Sequence, residues 1–294
     1  MRRRTKKAIS KQKITTMRMR RRGRDLNPRT TEKTRHLSMK TLSKPSSPFG
    51  IFPSTLYTNS IFNHTEQILR AVVKLGGALF GRDPDPSTIK HMAGALTRFV
   101  DENNQLVLVA GGGENARTYI NAARKLGAEE STCDLLGIQI TRANAELLRV
   151  AFEGETAAVS ARSLTRLPEL VRANGVVVMG GLQPGQSTNA VATLAAEITR
   201  AKILVNATDV DGVYTEDPKK NPRAKLLRTI HVGKLLELAM AGRVFAGRYE
   251  LLDPLAVKIL ERSRIPTRFV SLSNPENILD AIKGKDMGTL VVYD

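Results

Sequence analysis

Three times in this chain a short apolar run stops abruptly against glycine. Residues 71–75 (AVVKL) run into Gly76-Gly77-Ala78, residues 105–110 (QLVLVA) into Gly111-Gly112-Gly113, and residues 176–179 (VVVM) into Gly180-Gly181. Runs of β-branched and aliphatic residues without alternation are strands buried on both faces. A helical pattern follows each. Ile89, Ala93, Leu96 and Val100 give one apolar face, Glu114-Asn115-Ala116-Arg117 opens a second helix through Leu126, and an Ala-rich third carries Val191, Leu194, Ala195 and Ile198. Parallel strands need such crossovers, and the helices must cover both faces of the sheet. The expected fold is therefore α/β, a three-layer αβα sandwich with a mainly parallel central sheet.

The same junctions are candidate anion sites. Free N–H groups and the helix dipole point at whatever lies above the carboxyl end of a strand, and glycine lets a phosphate reach the backbone. A plain strand-to-helix connection explains any one of these loops, and repetition in register argues for more. After Gly181, Pro184-Gly185 makes a turn, and Ser187, Thr188 and Asn189 are all good helix N-cap types. Lys74 stands at the end of the first strand and Arg117 one turn into the second helix, both suited to phosphate. The first loop lacks the G-x-x-x-x-G-K-[ST] pattern of a P-loop.

The rest of the chain continues the alternation. Residues 134–152 read as a long helix with Leu135, Ile138, Ala145, Leu148 and Phe152 mostly inward. Asp134 at its start either complements the dipole or binds a hydroxyl. A strand is expected at 157–160, a helix at 167–173, and another strand at 203–207 (ILVNA). That strand ends in a loop from Thr208 to Pro218 rich in Asp, with Tyr214 within it. The loop suits a nucleotide base and a hydrated Mg²⁺, or is a solvated Asp-Gly turn. Helices at 232–241, 253–263 and 276–283 and strands at 267–272 and 289–293 complete the pattern.

The formal charge of +18 invites a nucleic-acid reading until it is located. Residues 1–70 hold 18 Lys+Arg against 3 Asp+Glu, and the remaining 224 hold 28 against 25. Residues 1–44 form a basic, acid-poor tail expected to be disordered, residues 45–70 a linker, and residues 71–294 the folded domain. The tail is open to four readings: a grip on nucleic-acid phosphates, a transit peptide, contact with an anionic membrane surface, or a translated leader with no selected role. No run of about 18 apolar residues is present, so no membrane span is expected. The single Cys133 excludes an internal disulfide framework and fits a reducing compartment, hence a cytoplasmic location. His36, His64, His91 and His231 are scattered, so no histidine metal site is expected.

Taken together, Lys74-Leu-Gly-Gly, Gly111-Gly-Gly, GIQITRANA at 137–145 and MGG…PG.ST at 179–188 resemble the amino-acid-kinase superfamily. DVDGVYTEDPKKNP at 209–222 and LLDPLAVKILERS at 251–263 narrow the resemblance to UMP kinases of archaeal type. It covers about residues 72 to 293. It implies transfer of a phosphoryl group from ATP to UMP with Mg²⁺, in a homo-oligomer, a hexamer built from dimers. Gly77 and Ala78 would lie against the ATP phosphates, with Lys74 the cation near the transferred group. Gly113 and Arg117 would contact phosphate between the nucleotides, and Thr208, Tyr214 and Asp217 would hold the ATP adenosine. Gly112, Asp134 and the segment Leu182, Gln183, Pro184, Gly185, Gln186, Ser187 and Thr188 would surround UMP, Asp134 accepting from its ribose. Two positions depart from the pattern: Asn189 stands where an aspartate is usual, and Leu182 where a threonine is common. Asparagine keeps the shape and an acceptor oxygen but drops the charge, so altered catalysis is one implication. Another small-molecule kinase of the superfamily, or a non-catalytic oxyanion-binding protein, are the alternatives.

Overall fold

The computed structural model describes residues 68–152, 156–216, 218–219, 221–240 and 252–294. The tail and most of the linker, Asp217, and Ala241 at the end of one expected helix lie outside the described residues. The strands are β1 (Arg70–Leu75), β2 (Gln105–Ala110), β3 (Val159–Ala161), β4 (Val176–Met179), β5 (Ile203–Thr208), β6 (Thr229–His231), β7 (Thr267–Ser271) and β8 (Thr289–Val292). They form one sheet in the order β3-β4-β2-β1-β5-β7-β8-β6. From β3 to β7 every pairing is parallel, and β8 turns antiparallel to β7.

Eight helices are described: α1 (Pro86–Asp101), α2 (Gly113–Lys125), α3 (Glu130–Ala151), α4 (Leu167–Ala173), α5 (Thr188–Thr199), α6 (Val232–Met240), α7 (Pro254–Ser263) and α8 (Pro275–Ile282). Side chains alternate across the sheet, as the two-residue strand period requires. Ala71, Val73, Leu75, Leu106, Leu108, Val176, Val178 and Val205 join residues of α1, α3 and α8 on one face. Val72, Val107, Val109, Val177, Met179 and Leu204 join α4, α5, α6 and α7 on the other. The three-layer sandwich follows, and α2 packs outside it against α3.

Differences from the sequence reading are local. The helix read from Asp134 begins a turn earlier, at Glu130, because the Glu129 carbonyl accepts from Thr132 and Cys133 and buried Cys133 pulls that turn inward. Asp134 is thus not at a helix start. The edge strand β6 went unread, since three residues (TIH) carry no period and their partners on β8 are 61 residues away. Leu135 and Ile198 lie on the helical stripes yet are 48% and 42% exposed. Residues 77–80 form a 3-10 turn.

Candidate functional site

The register aligns the carboxyl ends of the four central strands. Leu75 stands opposite both Ala110 and Ala207, and Val109 opposite Met179. All three glycine loops therefore leave the sheet side by side. Gly111 N–H donates to the Leu75 carbonyl (2.9 Å) and Gly76 N–H to Ala207 (2.8 Å), which carries the ladder one step past the strands. The first two loops touch backbone to backbone. A Cβ on Gly77 would overlap the Gly113 nitrogen, and Gly113 itself has φ +67°, a conformation open to glycine at little cost. No side chain caps α2, so its leading N–H groups have no side-chain acceptor. Asn115 Nδ2 donates to the carbonyls of Gly81 and Arg82, pinning the far end of the first loop. Arg117 is exposed one turn along α2.

Lys74 points to the α5 face of the sheet, as Val72 does. Burial pulls its pKa down from 10.5 to about 8, and the Asp209 carboxylate pulls the other way. Asp209 is in turn ion-paired with Lys219. On the same face Asn189, 7% exposed, accepts from Asn206 Nδ2 at 3.1 Å.

The third loop is held from two sides. Ser187 is the N-cap of α5, its Oγ accepting from the Asn189 and Ala190 amides (3.0 and 3.1 Å) while donating to Asp253. Asp253 is itself the N-cap of α7. At the other end, Asp134 Oδ2 accepts from Gly185 N–H at 2.8 Å, so the acid one turn into α3 closes the loop. Between them α3 grips the backbone. Thr141 Oγ1 accepts from Gly181 N–H (2.7 Å), and Arg142 donates to the Gly181 and Leu182 carbonyls (3.1 Å each). Asn144 Nδ2 reaches the Gly111 carbonyl at 2.8 Å, so one helix fixes two glycine loops. A Cβ on Gly180 would lie 2.7 Å from the Arg142 nitrogen, which explains why that loop must pass without a side chain. Gln183, Pro184 and Gly185 remain exposed at the loop tip.

The predicted residues Lys74, Gly77, Ala78, Gly112, Gly113, Arg117, Asp134, Leu182 to Thr188, Asn189 and Thr208 thus lie on strand ends, on the loops that leave them, or in the first two turns of α2, α3 and α5, at one edge of the sheet. Tyr214 is carried on the loop after β5 but anchored toward β8. Its hydroxyl donates to Asp211 (3.3 Å), its backbone bridges Leu226, and neighbouring Val213 N–H donates to Thr289. Thr141, Arg142, Asn144, Asn206 and Asp253 received no individual role from the sequence. Their signal was present: Thr141 and Asn144 are polar residues three apart on an otherwise apolar helix face, and Asn206 interrupts an apolar strand. What the frame can do chemically is hold anions between backbone amides and two cations.

Residues 69–271 match the family model described as the amino acid kinase family. The uridylate kinase of Thermococcus onnurineus is 40% identical over 224 residues, covering 76% of this chain and 99% of that relative. That of Methanothrix thermoacetophila is 43% identical over 218 residues, covering 74% and 97%. The crystal structure of uridylate kinase from Archaeoglobus fulgidus superposes with a TM-score of 0.67 at 38% identity, covering 76% of this chain and all of that one. UMP kinase from Ureaplasma parvum, at 22% identity and a TM-score of 0.64, shares the fold.

Proposed function

Since the chain belongs to the amino acid kinase family, and within it to the uridylate kinases, we propose that its strand-end site takes ATP and UMP and forms ADP and UDP. The observation that carries this is the side-by-side exit of three glycine loops, next to Lys74, from adjacent parallel strands. Moving a phosphoryl group between two anions asks for in-line positioning and neutralised charge more than for covalent chemistry. A phosphate monoester is already an anionic nucleophile, so no general base is needed.

In this reading Lys74 approaches the transferring group, while amides at Gly77 and Ala78 hold the ATP phosphates. Gly113 and Arg117 sit between the nucleotides, and Thr208, Tyr214 and Asp217 hold the adenosine. Gly112 and the loop from Leu182 to Thr188 surround UMP. Asp134, which closes that loop through Oδ2, offers its other oxygen to the ribose. Asn189 contributes a neutral acceptor where a carboxylate is usual. Mg²⁺ bound together with ATP would supply charge neutralisation on the phosphates. Among the described residues no three His, Cys, Asp or Glu side chains form a metal cage. The ion needs none, since one or two carboxylates with phosphates and waters suffice, and Asp209 is at hand. The proposal extends to a cytoplasmic homo-oligomer, a hexamer. Leu135, Leu147 and Val150 on α3 are exposed apolar side chains that assembly would cover. No helix among the described residues is long and apolar enough to cross a membrane.

A coupled ADP-release assay with UMP, CMP, dUMP or no acceptor tests the function. UMP should outpace each alternative by about 10-fold or more, the discrimination that one unmatched buried polar contact gives. ADP release at the same rate without UMP would overturn it.

A further inference from the structure

Asn206 is the only polar side chain in the strand run ILVNA, and it is 3% exposed. A buried amide there must place two donors and an acceptor. Its Nδ2 donates to Asn189 Oδ1 at 3.1 Å, but its Oδ1 has no partner. Native interiors rarely leave such an oxygen unmet. Directly opposite in register on β1 stands Lys74. Alternation puts both side chains on the face that carries Val72, Leu204 and α5. No hydrogen bond or ion pair engages the Lys74 ammonium among the described residues. A buried acceptor without a donor and an ammonium without an acceptor therefore share one layer on adjacent strands.

We propose that Asn206 is the positioning residue for Lys74: its Oδ1 receives an ammonium N–H, directly or through one water, and Asn189 holds the Asn206 amide in that orientation. The pair does with two neutral amides what a single carboxylate would do with charge. It fixes the direction of the ammonium without neutralising it, so the full positive charge stays available to a phosphate. The other groups around Lys74 agree. Asp209 attracts it from the strand end but is shared with Lys219. β2 presents Val109 in register, α5 presents neutral Asn189, and Asp253 at the α7 N-terminus is held by Ser187. Lowering of the Lys74 pKa by burial also leaves it sensitive to any acceptor gained or lost.

The inference rests on the proposed kinase reaction only for its kinetic arm. Lys74 is titrated in the ligand-free full chain by NMR of lysine Cε, assigned with Lys74→Arg, in wild type, Asn206→Val, Asn206→Asp and Asn189→Ala. Valine suits a strand interior and keeps the volume. Removing the acceptor disfavours the charged form, so the Lys74 titration should move to lower pH in Asn206→Val. It should move less far in the same direction in Asn189→Ala, which frees the amide. Kinetically, Asn206→Val should lower kcat about 10- to 100-fold, the range for one hydrogen bond to a charged group. KM for ATP and for UMP should change little. Asn206→Asp should recover most of kcat and move the titration to higher pH. An unmoved Lys74 titration in Asn206→Val and Asn189→Ala overturns the proposal, as does a fall in kcat that Asn206→Asp does not rescue. Should Asn206→Val not fold, Asn189→Ala decides by the same titration. If wild type fails to phosphorylate UMP, the functional reading falls while the titration still judges this one.

Discussion

Lys74 is a charge placed where its surroundings oppose it. Burial takes its pKa from 10.5 to about 8, a difference equivalent to at most about 3 kcal/mol of stability. The folded chain then binds fewer protons than the unfolded chain between pH 8 and 10.5. Stability attributable to this group therefore rises with pH through that window and is lowest below it. Burying one or two aliphatic side chains offsets the cost, and β1 alone buries Val72, Val73 and Leu75. Lys74→Met should raise the melting temperature of the ligand-free protein at pH 7 by several degrees, at roughly 2–4 °C per kcal/mol, while abolishing turnover. Calorimetry at pH 7 and again near pH 10 checks it, because the gap should shrink at the higher pH. A variant that melts below wild type at pH 7 would show that Lys74 is stabilised where it stands. At this scale the sequence was partly legible. Lys74 and Arg117 stood out because cations beside glycines have few other uses, whereas Asn206 did not, because its meaning lies in a strand 132 residues away.

At the scale of elements, the strands β1, β2 and β4 were readable because a buried parallel strand is a continuous apolar run and glycine ends it sharply. Edge strand β6 was not, since three residues hold no period. Helical spacing located α3 and α5 but could not say which stripe residue would find a partner, and Leu135 and Ile198, both on the apolar stripes, are exposed. The role of α3 was the least legible. The motif GIQITRANA carried part of the family resemblance, and the structure makes part of it a brace: Thr141 and Arg142 fix the β4 loop and Asn144 the β2 loop. Arg142→Ala removes two charge-assisted hydrogen bonds to loop carbonyls, each worth about 1.5–3 kcal/mol. It should raise KM for UMP by about 10-fold or more and leave KM for ATP within about threefold, since the β1 loop, the proposed ATP side, is held by Asn115. Steady-state kinetics with each nucleotide varied separately checks this. Equal rises in both constants would mean that α3 supports the domain as a whole and not the β4 loop.

For the whole molecule, the division of charge is the organising fact. The basic excess sits in residues 1–70, while the 224 residues that follow are close to balanced. The match to the amino acid kinase family begins at residue 69. The αβα class was legible from the repeated strand–glycine–helix unit alone, because parallel strands leave few other ways to bury both faces. The convergence of the loops also followed, since parallel neighbours in register must end together. The central claim is that this strand-end frame transfers phosphoryl from ATP to UMP with Lys74 as its essential cation. Phosphorus-31 NMR of one mixture of ATP, UMP, Mg²⁺ and the full chain tests it most directly. UDP and ADP should appear in equal amounts, and Lys74→Ala should slow both by about 100-fold or more. ADP accumulating with inorganic phosphate and no UDP, or UDP formed at the wild-type rate by Lys74→Ala, would contradict the account.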